Sequence, residues 1–276
     1  MTLREALARS KNTVAWQLLE ELTPKIGLSY LHAMNFAKIT QSDEKLSSAL
    51  GGLTNGVSPV EMTAAYATLE NDGAYRMPTC IERITDAQGN EILVTEQEEK
   101  QIYKATAARM MTDMLKSVMT EGTGRRLALT GIPCAGKTGT TNDNKDGWFV
   151  GYTRYYSTGV WVGYDMPKEL PGLSGSSYPG EIWNGFMQQC HEGLTPAEFL
   201  PYVQVDNYEK IRRDALGDDT DDNGNADTGA ENPEQADNTD TSGTSGQDNE
   251  GDNTGNTDAD ATGQDNAENT VVTPAQ

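Results

Sequence analysis

Lys137 stands in Cys134-Ala-Gly-Lys-Thr-Gly-Thr-Thr141, a run with one fixed charge, three hydroxyls and two glycines and little that could pack a core. An ammonium flanked by Thr138 and Thr140 suits an anionic ligand, and Gly136 and Gly139 remove side chains where another backbone could approach. An extended peptide laid along such a strand edge is a fitting guest. The residues from Gly131 to Thr138 also spell the phosphate-loop pattern G-x-x-x-x-G-K-[ST]. Phosphate binding there requires a buried strand before the loop and a helix N-terminus after it. Lys137-Thr138 instead runs into Gly139, Thr140, Thr141 and an Asn/Asp turn, where no helix starts well, which argues against a P-loop nucleotidase. A second polar cluster, Ser10-Lys11-Asn12, lies 127 positions before Lys137. On its own it reads as an ordinary helix cap.

The elements that must bring these residues together follow from periodicity and punctuation. Thr2 to Glu5 is a capping-box pattern, so a short helix runs to about Arg9 and leaves Ser10 to Asn12 in a connection before a helix from Thr13, closed by Pro24 and Gly27. A third helix is expected over 28–37. Ser58-Pro-Val-Glu61 starts another, with a capping serine, proline at the first helical position and a reciprocating glutamate. Residues 81–85 and 91–95 flank a turn containing Gly89 and predict a hairpin. A methionine-rich helix is expected over 105–120, with Met110, Met111, Met114, Leu115, Val118 and Met119 as core. Trp148 to Thr153 and Gly159 to Tyr164 read as the strands that follow Lys137, the second leaving an open hydrophobic edge. The last helix, over 181–191, turns Ile182, Trp183, Phe186, Met187 and Cys190 inward.

Charge divides the chain. Of the formal net −21, 17 acidic residues fall within 214–276, which has no Lys, Arg, aromatic or cysteine, and residues 1–213 are left at −4. Two regions are therefore expected: a folded 1–213 and a disordered acidic tail over 214–276. Neither carries the basic footprint of a nucleic-acid partner. Cys80, Cys134 and Cys190 have no metal-ligand spacing to His32 or His191, and their odd count argues against a disulfide framework. The stretch from Asp219 to Gly224 opens like a calcium loop, but the position of its closing glutamate is Ala230. No metal site is expected.

Five segments in this order and spacing resemble the transpeptidase domain of bifunctional (class A) penicillin-binding proteins. They are Thr2 to Asn12, Ala49 to Glu61, Glu121 to Gly124, Ala135 to Thr141 and Asp146 to Tyr152. The resemblance covers about residues 1–195. It implies an α/β fold of the α+β type, with a β-lactamase/transpeptidase-like antiparallel sheet and flanking helices. It implies acyl transfer on D-Ala-D-Ala stem peptides of peptidoglycan, with β-lactams as alternative ligands, no cofactor, and a place on the extracytoplasmic face of the bacterial membrane or in the wall. Ser10 corresponds to the S-x-N serine that relays a proton, and Asn12 to the asparagine that holds the substrate amide. Lys137 supplies positive potential. Thr138 and Thr140 offer hydroxyls to a terminal carboxylate, Gly139 admits the substrate backbone, and the Thr140 amide forms half of an oxyanion hole.

The chain departs from that pattern in one respect. The family's S-x-x-K serine precedes the S-x-N by several dozen residues, and only nine residues precede Ser10. Ser42-Asp-Glu-Lys45 matches S-x-x-K, but it follows the S-x-N in a charged stretch and reads as a solvated turn. The expectation is a C-terminal piece of a transpeptidase domain, inactive alone, whose partner is the missing N-terminal half. The competing reading is a non-enzymatic, wall-associated peptide-binding module.

Overall fold

The computed structural model describes residues 1–94 and 98–202. The chain divides into two units, Met1–Asp221 and Asp222–Gln276, and every described residue falls in the first. The expected limit at 213/214, the acidic tail and the calcium-like stretch lie outside the described residues.

Helix α1, Leu3–Ala8, starts on the capping box: the Thr2 hydroxyl accepts the Glu5 amide and the Glu5 carboxylate accepts the Thr2 amide. It ends in a Schellman turn, in which the Lys11 amide donates to the Ala6 carbonyl and the Ser10 amide to that of Leu7. Ser10 occupies the left-handed position of that turn at φ 53°. Helix α2, Asn12–Leu22, starts one residue earlier than expected, and neither Ser10 nor Asn12 caps it; its N-cap is Lys11. The proline and glycine expected to close α2 belong to the next helix. Thr23, at φ 72°, breaks the chain, and Pro24 opens α3, Pro24–Ala33. Proline suits a first helical turn as well as a stop, so the sequence alone does not decide which side of the boundary Pro24 takes.

Helix α4, Pro59–Glu70, is capped by Ser58 and Glu61 as the sequence indicates. Strands β1 (Ala74–Arg76) and β4 (Glu99–Gln101) form one antiparallel ribbon, and β2 (Arg83–Thr85) and β3 (Glu91–Val94) the expected hairpin. Helix α5, Ala105–Thr120, has the expected bounds and only part of the expected face. Ala108, Thr112, Leu115, Val118 and Met119 are buried, whereas Met110 is exposed and Met111 and Met114 are half-buried. The i, i+4, i+7 stripe through Ala108 and Thr112 decides the packing rather than the methionine count.

The central sheet is an antiparallel meander of β5 (Ala135–Thr140), β6 (Asp146–Tyr152) and β7 (Ser157–Gly163). Register pairs Lys137 with Val150 and Trp148 with Trp161. On one face Ala135 and Tyr152 pack with Leu115 and Val118 of α5, and the Tyr152 hydroxyl lies 2.9 Å from that of Thr112. On the other, Phe149 packs with Trp183 and Met187 of α6, Tyr178–Cys190. Helix α6 begins three residues before its expected start. Its buried stripe is Pro179, Trp183 and Met187, while Ile182 and Phe186 lie on the exposed flank. Strand β7 has no second strand partner among the described residues, yet all seven of its residues are half-buried between α4 and α6.

Candidate active site

Three connections and one strand build the site. Arg4 ties α1 to α5 through an ion pair with Asp113 and a 3.0 Å hydrogen bond to Ser117 Oγ, fixing the end of α1 from which Ser10 projects. Strand alternation then turns Lys137 to the α5 face of the sheet, toward Ser10. Lys137 Nζ donates to Ser10 Oγ at 2.9 Å and to the Thr138 carbonyl at 2.8 Å. Two residues 127 apart in sequence are thus in direct contact.

Burial lowers the Lys137 ammonium to about 8, and no carboxylate among the described residues offsets it. The folded value lies below the ordinary 10.5, so the charged form costs stability below about pH 8, and that cost is relieved between about 8 and 10.5. The charge itself behaves the opposite way. It is present below about 8 and lost above, so affinity for an anionic ligand should fall as pH rises through about 8. Titrating an N-acetylated dipeptide with a free C-terminal carboxylate across this pH range checks it; a flat profile, or the same profile in Lys137→Met, would show that another group governs.

Thr138 and Thr140 turn to the opposite face, where each meets a group from another segment. Thr138 Oγ1 is 2.7 Å from Thr123 Oγ1, and Thr140 Oγ1 accepts the Gly175 amide at 3.0 Å. A Cβ on Gly175 would sit 2.7 Å from both the nitrogen and the oxygen of Gly139, so only glycine lets that loop lie against the strand. With the Gly175 N–H occupying one lone pair, the Thr140 hydroxyl proton is directed elsewhere and can serve a ligand.

Ser10, Asn12, Lys137, Thr138, Gly139 and Thr140 all line one cleft of about 960 Å³. The structure therefore brings together every residue the sequence nominated. The cleft has a second character that the sequence did not disclose: Leu3, Leu7, Val14, Ala15, Leu18 and Leu50 form an apolar wall. No residue of α2 is buried, and Leu3 and Leu18 are 50% and 43% exposed. Ser42 and Lys45 are exposed and absent from the cleft lining. Between them, however, Asp43 is fully buried, a correction to the solvated-turn reading. Its carboxylate accepts the amides of Thr54 and Thr40 at 2.6 and 2.9 Å, which holds its pKa well below the usual range. Buried charge in a polar turn leaves no periodic trace, and only the Thr40 to Asp43 capping spacing hinted at it.

A family model for the penicillin binding protein transpeptidase domain matches residues 1–188. The chain belongs to that family. Penicillin-binding protein 4 of Bacillus subtilis (strain 168) is 37% identical over 191 residues, covering 69% of this chain and 31% of that protein. Penicillin-binding protein 1A of Aquifex aeolicus (strain VF5) is 39% identical over 197 residues, covering 68% of this chain and 25% of that protein. Among solved structures, penicillin-binding protein 1A from Haemophilus influenzae matches with a TM-score of 0.66 at 22% identity, over 73% of this chain and 36% of that one, which bears on the fold alone. The chain spans about a quarter to a third of the length of the curated relatives it matches. As a penicillin-binding transpeptidase domain it has the mixed α/β, antiparallel-sheet architecture of the family. Among its described residues no helix is long and apolar enough to cross a membrane, and no cluster of three His, Cys, Asp or Glu could hold a metal.

Proposed function

We propose that this chain is the half of a peptidoglycan D,D-transpeptidase domain that binds the stem peptide, acting at the extracytoplasmic face of the membrane, and that its nucleophilic serine comes from outside these 276 residues. The Lys137–Ser10 contact, set in a cleft that joins a hydroxyl-rich floor to an exposed apolar wall, supports this reading. The floor suits the anionic end of a D-Ala-D-Ala peptide or a β-lactam, and the wall suits an apolar helix presenting the serine.

In the reaction that serine's oxygen gives up its proton and bonds to the penultimate D-alanine carbonyl carbon, the C–N bond to the terminal D-alanine breaks, and the proton lost by the serine balances the one the leaving amine gains. The leaving nitrogen takes a proton and departs as the amine of D-alanine. A second stem's amine then attacks the ester and gives up a proton, forming the amide cross-link, and the serine leaves as the hydroxyl with that proton restored. Ser10 is suited to the proton step: its oxygen accepts from Lys137, so its own proton is free for the leaving nitrogen, and Lys137 can replace it. Asn12 holds the substrate amide. The Thr140 N–H serves the carbonyl oxygen as charge develops on it.

Fluorescent penicillin tests the reading. The chain alone should give no boiling-resistant adduct, because Ser42 is the sole S-x-x-K serine and lies outside the cleft lining. Co-expression with the upstream half of a related transpeptidase domain should restore labelling. An adduct on the chain alone that vanishes in Ser42→Ala would overturn the proposal. Failure of the paired halves to label, with the chain still binding stem peptide, would favour a non-enzymatic peptide-binding module.

A further inference from the structure

The segment Glu121 to Gly124 belongs to neither element of the proposed machinery, yet it touches both. The Thr123 amide donates to the Ala8 carbonyl at 3.1 Å, two residues before Ser10, and so satisfies one of the acceptors left open at the end of α1. The neighbouring glycines make this approach possible. A Cβ at Gly122 would lie 2.4 Å from that same Ala8 oxygen, and one at Gly124 would lie 2.8 Å from Met119 Sδ. The Gly124 amide is in turn held by the Val118 carbonyl at 3.0 Å, the last turn of α5. Thr123 is thereby set in the cleft wall with its hydroxyl 2.7 Å from that of Thr138.

Two hydroxyls at that distance share one proton between them, and the other proton remains to be directed into the cleft. A donor whose oxygen already accepts a hydrogen bond is polarised and donates more strongly. We infer that Thr123 is a ligand-contacting and positioning residue: its hydroxyl acts with that of Thr138 as a coupled donor pair for the terminal carboxylate of the stem peptide. Its backbone meanwhile sets the distance between the Ser10 turn and β5. The inference rests on the reading of this cleft as a carboxylate site. It adds to that site a residue from outside the Lys137 strand.

The probe is N-acetyl-D-alanyl-D-alanine, with its C-terminal carboxamide as the uncharged control, titrated by NMR into the 276-residue chain. Thr123→Val removes the hydroxyl at nearly constant shape. It should weaken acid binding about 10-fold, as expected for a hydrogen bond to a charged group, and leave the carboxamide unchanged. Thr123→Ser should bind the acid like wild type. In a Thr138→Val background Thr123→Val should have little further effect, since the pair acts as one unit. Equal acid binding by Thr123→Val and wild type would overturn the inference. So would equal weakening of acid and carboxamide, which would mark Thr123 as a purely structural tether. Wild-type chain that fails to prefer the acid over the carboxamide would remove the carboxylate site itself, and the role of Thr123 with it.

Discussion

Lys137→Met should lower acylation by a β-lactam about 100- to 1000-fold in the domain that supplies the serine, the range seen when a preorganised catalytic donor is removed. The substitution keeps an unbranched side chain in the strand and deletes the charge that meets Ser10. Because the ammonium is desolvated, with its pKa brought to about 8, its interactions are stronger than those of a surface lysine. Removing it also takes away the hydrogen-bond donor to Ser10, from which the proposed mechanism draws the returning proton. The fold should survive and even gain, since at neutral pH the buried charge is a cost. Stopped-flow acylation beside a thermal melt separates the two effects. A Lys137→Met protein that acylates within a few-fold of wild type would mean that the cleft's cation is elsewhere, and the proton route through Ser10 would fall with it.

Trp183→Ala should destabilise the chain by about 3–5 kcal/mol, the usual cost of truncating a fully buried aromatic. Trp183 has no exposed surface, packs against Phe149 with the rings tilted at a 4.7 Å centroid distance and donates its indole N–H to the Gly151 carbonyl at 3.2 Å. The truncation leaves a cavity among Met119, Leu127 and Met187 and strips that carbonyl of its side-chain donor. Against a total stability of about 5–15 kcal/mol such a loss takes a large share. Urea unfolding checks it: the midpoint should drop while the slope is kept. Ile182→Ala, one position away on the exposed flank, should change little, and the contrast tests which face of α6 is buried.

That contrast also shows where the sequence was legible. Chain ends and turns were read from local chemistry: the Thr2–Glu5 and Ser58–Glu61 boxes, Gly89 in its hairpin and the break between Lys137 and Trp148 each depend on residues a few positions apart. The face of a helix was legible only in part: Leu115, Val118, Met119, Trp183 and Met187 are buried as expected, but α5 and α6 are apolar over more than one stripe, and packing selects among stripes that the period alone leaves equivalent. Ser10, Asn12 and the residues from Lys137 to Thr140 were found through segments that resemble a family, and the structure lines one cleft with them. Thr123 and the Gly175 amide were missed as contacts, although Thr123 lay within a recognised segment. Their work is done across the fold, on side chains 15 and 35 positions away, and a lone threonine or glycine carries no signal of that reach.

Ser10 fills the left-handed position of the turn that ends α1, a place where most helices put glycine and some asparagine. A serine there bears about 1 kcal/mol of backbone strain. Its hydroxyl recovers none of that by capping a helix, and its side-chain contact is to Lys137. Mutation screened for thermal robustness alone would drift at this codon toward asparagine or glycine, and each gain in melting temperature would remove the hydroxyl beside the lysine. In laboratory evolution of this domain, position 10 is therefore where resistance to heat and retention of chemistry should pull in opposite directions.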